Sequence, residues 1–168
     1  QTDEIEVADH TGVAGITAAI EAHERGVDVL LVTKGIFGRD GAATWTAGYG
    51  FQVGLNPPDS PEIHFADTIR VGRFMNDQKL VHRLILEIPR QHRNLDEWGV
   101  RYLKENGRYL MMRLPGESYP RVPRLSIPGE WAGQEYRRSL TRQVRKRGIR
   151  TIEDLFIFDL ISTRDGVA

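Results

Sequence analysis

Gly12-Val13-Ala14-Gly15 heads a run of small and branched apolar residues, and two glycines so spaced at a helix start have a specific use. The first lets main chain approach a pyrophosphate, and the second lets helix and strand pack closely. The helix N-terminus adds unpaired N–H donors and a partial positive charge. The four residues form the second half of the GxGxxG dinucleotide fingerprint. His10 stands where the first glycine belongs, so the motif also has a plainer reading, the packing of a small-residue helix. Of 17 glycines in the chain, nine fall between Gly12 and Gly54. Glycine loses the most backbone entropy on folding, so this density predicts a surface where main chain closely approaches a ligand.

Other chemistry is sparse. Thr33-Lys34 stands where an acid would commonly hold a nicotinamide-nucleotide ribose, which argues against NAD as the primary ligand. Lys34 either meets a ribose or phosphate or lies solvated in its loop. Five histidines (His10, His23, His64, His82 and His92) show no HxxxH or HxH spacing, and there is no cysteine, so no metal site is expected. His64 and His82 fall in helices and read as structural. Asp96-Glu97 and Glu153-Asp154 are adjacent pairs that point apart on regular elements, not acid/base pairs. No serine sits in a GxSxG elbow, and no catalytic residue is assigned. Arg137, Arg138, Arg142, Arg145, Lys146, Arg147 and Arg150 crowd one segment without an intervening acid. They read either as a docking surface for a partner subunit or polyanion, or as a solvated helix face with cations near its C-terminus.

The elements that must position these residues can be read coarsely. The chain has 168 residues, 40% apolar and 27% charged, the composition of a soluble globular protein with one domain as the default. Its 23 basic and 23 acidic residues cancel, which gives no general pull toward nucleic acid or anionic lipid. No run approaches the ~18–20 apolar residues of a membrane span. The acidic start, Gln1 to Glu6, has no apolar core of a secretory signal, so either the protein is cytoplasmic or its signal has been removed. Gly12 to Glu24 predicts a helix with Val13, Ile16, Ala19, Ile20 and Ala22 on its buried stripe, a stop at Gly26 and a buried parallel strand over Val27–Val32. Residues Glu4 to Asp9 make a poor buried first strand because acids sit where apolar side chains should. The aperiodic stretch from Gly35 to Pro58 is too long for an ordinary connection.

Ser60-Pro61-Glu62 starts a helix that should run to about Arg73, and Asp77 caps the next. There Leu80, Val81, Leu84, Ile85 and Ile88 share a face before Pro89 breaks the helix, and a second piece continues through Leu95 and Trp98 to Gly99. Asn106-Gly107 predicts a type I′ hairpin with arms Arg101–Leu103 and Arg108–Leu110. Pro115, Pro120, Pro123 and Pro128 punctuate an extended loop. A last helix from Gln134 to Arg147 lies on Tyr136, Leu140 and Val144 and closes at Gly148, followed by a strand from Leu155 to Ile161 and an Asp165-Gly166 turn.

These segments, in order, resemble the flavoprotein subunits of the succinate dehydrogenase/fumarate reductase family, which includes aspartate oxidase. The resemblance rests on Gly12 to Ala22, on Leu31-Val32-Thr33-Lys34-Gly35, and on Gly38-Arg39-Asp40-Gly41-Ala42-Ala43-Thr44-Trp45-Thr46-Ala47-Gly48. They match the family's first nucleotide-binding turn, second strand and flavin-contacting loop. Asp67-Thr68, Asn76-Asp77, Ile88-Pro89 and Gly133-Gln134-Glu135 look like its later helices, so the likeness extends from about Gly12 to the C-terminus.

The resemblance implies an α/β, Rossmann-like FAD-binding domain, in part, with a helical insertion and a β-hairpin. Residues 1–168 would be its N-terminal portion, without the family's capping domain. It implies FAD contacts at Gly12, Ala14, Gly15, Thr33, Lys34, Gly35, Arg39, Asp40, Gly41, Ala42, Ala43, Thr44, Ala47 and Gly48, and at Phe156 and Ile157 in the adenine-contacting segment. It further implies flavin-mediated hydride and electron transfer, a dicarboxylate substrate in the full-length family, and an iron–sulfur or other electron-transfer partner subunit that could hold the protein peripherally at a membrane. Three departures are visible. The leading glycine and buried first strand are altered or missing. Arg39-Asp40 is followed by Gly41 where the covalent branch carries histidine, so the FAD is expected to be non-covalent. The family's later substrate-binding and proton-delivering residues have no counterpart in this chain. The alternative is a truncated, non-catalytic nucleotide-binding or assembly subunit that docks on a larger complex.

Overall fold

A computed structural model of the protein describes residues 5–8, 12–39, 41–42, 56–126, 132–159, 162–163 and 166–167. The chain divides into two compact units, residues 1–46 with 136–168, and residues 47–135.

The first unit is built on three parallel strands in the order β1 (Ile5–Ala8), β2 (Asp28–Val32) and β7 (Arg150–Ile152). Helix α1 (Val13–Glu24) joins the first two, which makes a βαβ unit. The first strand is therefore present, contrary to expectation. Its residues pair in register with β2, Ile5 with Asp28 through Ala8 with Leu31, because main-chain hydrogen bonding to a good neighbour does not require an apolar sequence. On α1 the buried stripe is narrower than the pattern suggests. Ile16, Ala19 and Ile20 are buried, whereas Val13 is exposed and Ala22 half-buried. The helix stops as expected. The Gly26 N–H donates to the His23 carbonyl and the Val27 N–H to the Ala22 carbonyl, and Gly26 has φ +84, a left-handed conformation that suits glycine.

Val29, Leu31 and Val32 of β2 are buried, as a central strand requires. Helix α4 (Ala132–Arg147) buries Tyr136, Leu140 and Val144, the stripe its sequence predicts, and ends at Gly148 with φ +68. The last strand of this sheet differs from expectation. It is β7 at Arg150–Ile152, where Leu30–Val32 pair with it in register, and residues 155–159 are irregular. The strand ends early because Asp154 takes φ +54, and its N–H and that of Leu155 donate to Gly35 and Thr33 carbonyls in place of a neighbouring strand. Beyond it, β8 (Ser162–Thr163) and β9 (Gly166–Val167) form a short antiparallel pair next to the predicted Asp165-Gly166 turn, of which Asp165 lies outside the described residues.

The second unit holds α2 (Pro61–Val71) and α3 (Gln78–Glu97). Ser60 caps α2 by accepting the Ile63 N–H at 3.3 Å, and Asp77 caps α3 by accepting the N–H groups of Lys79 and Leu80. The expected break at Pro89 does not occur, and α3 runs through it for 20 residues. Proline removes one hydrogen bond, and packing on both sides, by Val81 and Ile85 before it and His92 after it, outweighs that loss. The apolar face also divides: Val81 and Ile85 join Ile69 in a small core, whereas Leu80 and Leu84 face solvent. Asn106 and Gly107 have φ +49 and +77, the type I′ signature, but the ladder is only two residues long, β3 (Lys104–Glu105) with β4 (Arg108–Tyr109). Met111–Met112 (β5) then pairs with Val122–Pro123 (β6), so Pro123 falls in a strand of two residues. Among the described residues no helix is long and apolar enough to cross a membrane.

Candidate functional site

Parallel strands deliver their following loops to one edge of the sheet. The chain passes from the end of β1 to Gly12 at the start of α1, Thr33-Lys34-Gly35 leaves β2, and Glu153-Asp154-Leu155 leaves β7, all at the carboxyl edge where ligands of open α/β sheets bind. The latter two are tied together. Thr33 donates its N–H to the Ile152 carbonyl at 2.9 Å, Leu155 donates to the Thr33 carbonyl at 3.0 Å, and Phe37 donates its N–H to Glu153 Oε1 at 3.1 Å.

Gly12 is the N-cap of α1 with φ −70 and ψ 171, an extended conformation open to any residue. Among the described residues no side chain caps this end, and no acid lies in the first turn. The Ile16 N–H returns to the Gly12 carbonyl at 3.1 Å, leaving the N–H groups of Val13, Ala14 and Gly15 at the open end. Among the described residues, a Cβ added to Gly12 would meet nothing within 4 Å. Neither backbone angle nor packing among them requires glycine here, which leaves room for a ligand brought against the main chain. A pyrophosphate suits that position: it needs free N–H donors, helix-end positive potential and a path without a Cβ.

The other predicted residues divide by position. Lys34 is exposed beside this edge, whereas Thr33 is 3% exposed, and its hydroxyl oxygen accepts the Gly35 N–H, so it shapes the turn. Arg39, Gly41 and Ala42 are exposed in the loop that follows, and Ala14 is exposed in the first turn of α1. Phe156 is 66% exposed and Ile157 half-buried beyond β7. Asp40, Ala43, Thr44, Ala47 and Gly48 lie outside the described residues.

Two features escape the sequence reading. Glu153 reads in the sequence only as half of a carboxylate pair, yet it anchors the loop after β2; an acid directly after a strand facing a glycine-rich loop is the available signal. In the second unit, fully buried Arg121 pairs with Asp59 through Nε and Nη2, both at 2.8 Å, and with Asp67 through Nη1 at 2.8 Å. Asp67 also accepts the Ser118 N–H and hydroxyl. Burial raises the Asp67 pKa, but these donors and the guanidinium outweigh it and hold the group at about 2. No local pattern marks partners that stand 54 and 62 positions apart. The network borders a cavity of about 330 Å³, but its charges are already matched to one another.

Comparison with known proteins agrees with this geometry. Residues 11–168 match the family model described as FAD binding domain. The chain is 34% identical over 155 residues to a fumarate reductase (CoM/CoB) subunit of Methanothermobacter marburgensis, covering 90% of this chain and 28% of that protein. It is 33% identical to L-aspartate oxidase of Streptomyces coelicolor, over 93% of this chain and 26% of that protein. The Sdh1 complex of Mycobacterium smegmatis in the apo form superimposes with a TM-score of 0.85 at 28% identity, over 98% of this chain and 30% of that one. The chain thus spans between a quarter and a third of each of these relatives. With the parallel βαβ unit and the open glycine turn in place, the chain belongs to the FAD binding domain family and is a Rossmann-like part of a flavoprotein related to fumarate reductases and aspartate oxidases.

Proposed function

We propose that the carboxyl edge of the parallel sheet holds FAD without a covalent bond, as the nucleotide-binding part of a fumarate reductase/succinate dehydrogenase-like oxidoreductase. The observation that carries this reading is the α1 N-terminus, uncapped and open above Gly12. The N–H groups of Val13, Ala14 and Gly15 would bind the pyrophosphate. Lys34 would add a point charge for phosphate or ribose, and the exposed Phe156 with Ile157 an apolar surface for the adenine. Arg39 to Ala43, with Thr44, Ala47 and Gly48, would line the flavin end. When bound, FAD supplies the hydride and electron chemistry, which this chain's side chains do not. Gly41 stands at the position used for covalent attachment and offers no nucleophile. In the whole protein we expect a dicarboxylate substrate, an electron-transfer partner subunit, and a cytoplasmic location with peripheral membrane association through that partner.

Gly12→Val places a branched side chain where the pyrophosphate approaches. FAD titration should show a loss of affinity of about tenfold or more. The Tm of the ligand-free protein should change by no more than about 4 °C, the size of a ~1 kcal/mol capping effect in a chain of this length. Unchanged FAD affinity in a folded variant would show that the turn does not hold the cofactor. Acid precipitation of the loaded protein should leave the flavin in the supernatant, and flavin retained in the pellet would refute non-covalent binding.

A further inference from the structure

The basic residues near the end of the chain do not share one role. Arg147 pairs with Glu24, and Arg150 with Asp28 at 2.8 Å. Others line a cleft. Arg138, Thr141, Arg142 and Arg145 recur on α4 at three- and four-residue spacing and so share one side of the helix, with Arg137 adjoining. Together with Arg39 they line a cleft of about 480 Å³, within the ~300–1,000 Å³ of small-molecule sites. Among its described lining residues five are arginines and none is acidic.

Two buried groups in that wall have no hydrogen-bond partner among the described residues, Arg137 Nε and Thr141 Oγ1, and Thr141 is only 9% exposed. A buried donor without a partner is unfavourable, more so when charged, so such a pair is a poor choice for a wall that serves packing alone. Burial, and then the neighbouring Arg138 and Arg39 charges, push the Arg137 pKa down, the direction expected where like charge accumulates. Gly38 closes the cleft against Thr141: its φ is +76, and a Cβ there would fall 2.7 Å from Thr141 Oγ1.

We propose that this cleft is a second anion site, distinct from the FAD pyrophosphate turn, which takes a multiply charged phosphate-class ligand on the guanidinium groups of Arg137 and Arg142. Guanidinium forks match phosphate oxygens in pairs, and a ligand of two or more charges balances five arginines better than a single carboxylate does. The test is calorimetric titration of the FAD-saturated protein with inorganic pyrophosphate. The expected result is saturable binding of one pyrophosphate per chain that weakens as salt is raised. Arg137→Gln and Arg142→Gln should each weaken it by about tenfold or more, as the loss of a charge-assisted hydrogen bond does. Arg142 is exposed, so its variant keeps the test open if Arg137→Gln disturbs folding. Arg147→Gln, outside the cleft, should change affinity by less than about twofold, and Gly12→Val should leave it intact even where FAD binding is lost. Absence of saturable binding overturns the proposal. So does an equal loss in Arg147→Gln, the mark of diffuse charge, or abolition of binding by FAD or by Gly12→Val, the mark of a single site.

Discussion

Arg121 and Arg137 are both arginines with buried nitrogen atoms, and they differ in what surrounds them. Arg121, fully buried, has two carboxylates at 2.8 Å, and Ser118 and Arg70 also donate to one of them, Asp67. Arg137 has a buried Nε without a partner among the described residues, and four more arginines around the same cleft. The same contrast separates the helix starts. Ser60 and Asp77 cap α2 and α3 with their own side chains, whereas α1 begins at a bare glycine. Where polar groups are matched within the chain they hold the fold, and where they are left open at the edge of the parallel sheet they are available to a ligand. Charge and capping thus distinguish the start of α1 and the arginine cleft from the capped starts of α2 and α3 and the paired Arg121.

The largest expected effect lies on the matched side. Arg121→Met leaves Asp59 buried without its cation and Asp67 with Arg70 alone, and breaking a buried pair from one side costs about 3–5 kcal/mol. Chemical denaturation should show a loss of that size at neutral pH. Asp67, held at about 2 in the fold against an ordinary 3.8, contributes stability present above pH 4 and lost as pH falls toward 2. The variant lacks the guanidinium that depresses this carboxyl, so the gap between wild type and variant should narrow on acidification. A variant as stable as wild type at neutral pH would mean that the network is not what holds these loops.

His92 provides the next test. It is 1% exposed between Tyr102 and Tyr109, with ring centroids at 4.3 and 4.5 Å, and neither ring nitrogen has a hydrogen-bond partner. Burial first, then Lys104 and Arg93 against the opposing pull of Asp96, lower its pKa to about 4. The folded ring is thus neutral where the unfolded chain takes up a proton, so stability falls as pH drops from about 6.5 to about 4. Full protonation of the unfolded state corresponds to about 3 kcal/mol. His64, lowered to about 4 chiefly by burial and then by Arg121, adds to the same slope. His92→Phe keeps the aromatic packing and removes the proton site, so Tm measured between pH 7 and 4.5 should fall less steeply than in wild type. Parallel pH profiles would show that His92 is protonated in the fold.

What can be read from sequence follows the same division. Features set by local chemistry are legible: the Ser60 and Asp77 caps, the Gly26 stop, the Asn106-Gly107 turn and the buried stripe of α4. Features set by a distant partner are not. β1 is a strand because β2 lies beside it, despite the acids around it, and β7 forms at Arg150–Ile152 because these residues meet Leu30–Val32 in register. Pro89 sits inside a helix whose packing lies on both sides of it. The Gly12 turn is legible as half of a motif, but its openness is not, since that depends on the absence of a cap and of neighbours.

The smallest effect tests that openness directly. If Gly12 is kept for a ligand, the helix itself would prefer a better cap, and Gly12→Ser supplies one. The extended backbone at Gly12 is that of an ordinary N-cap, and a Cβ meets nothing among the described residues within 4 Å, so the serine hydroxyl is free to accept an N–H of the first turn. The ligand-free protein should gain a few tenths of a kcal/mol, about 1 °C in Tm, while FAD affinity falls because the hydroxyl occupies donors that the pyrophosphate would use. Ser60→Ala should do the reverse on the matched side, losing about 1 kcal/mol by removal of the oxygen that accepts the Ile63 N–H, with FAD affinity unchanged. Opposite signs on stability and an effect on FAD at only one of the two positions are the expected pattern. A destabilised Gly12→Ser protein with unaltered FAD affinity would place glycine at this turn among the needs of the fold.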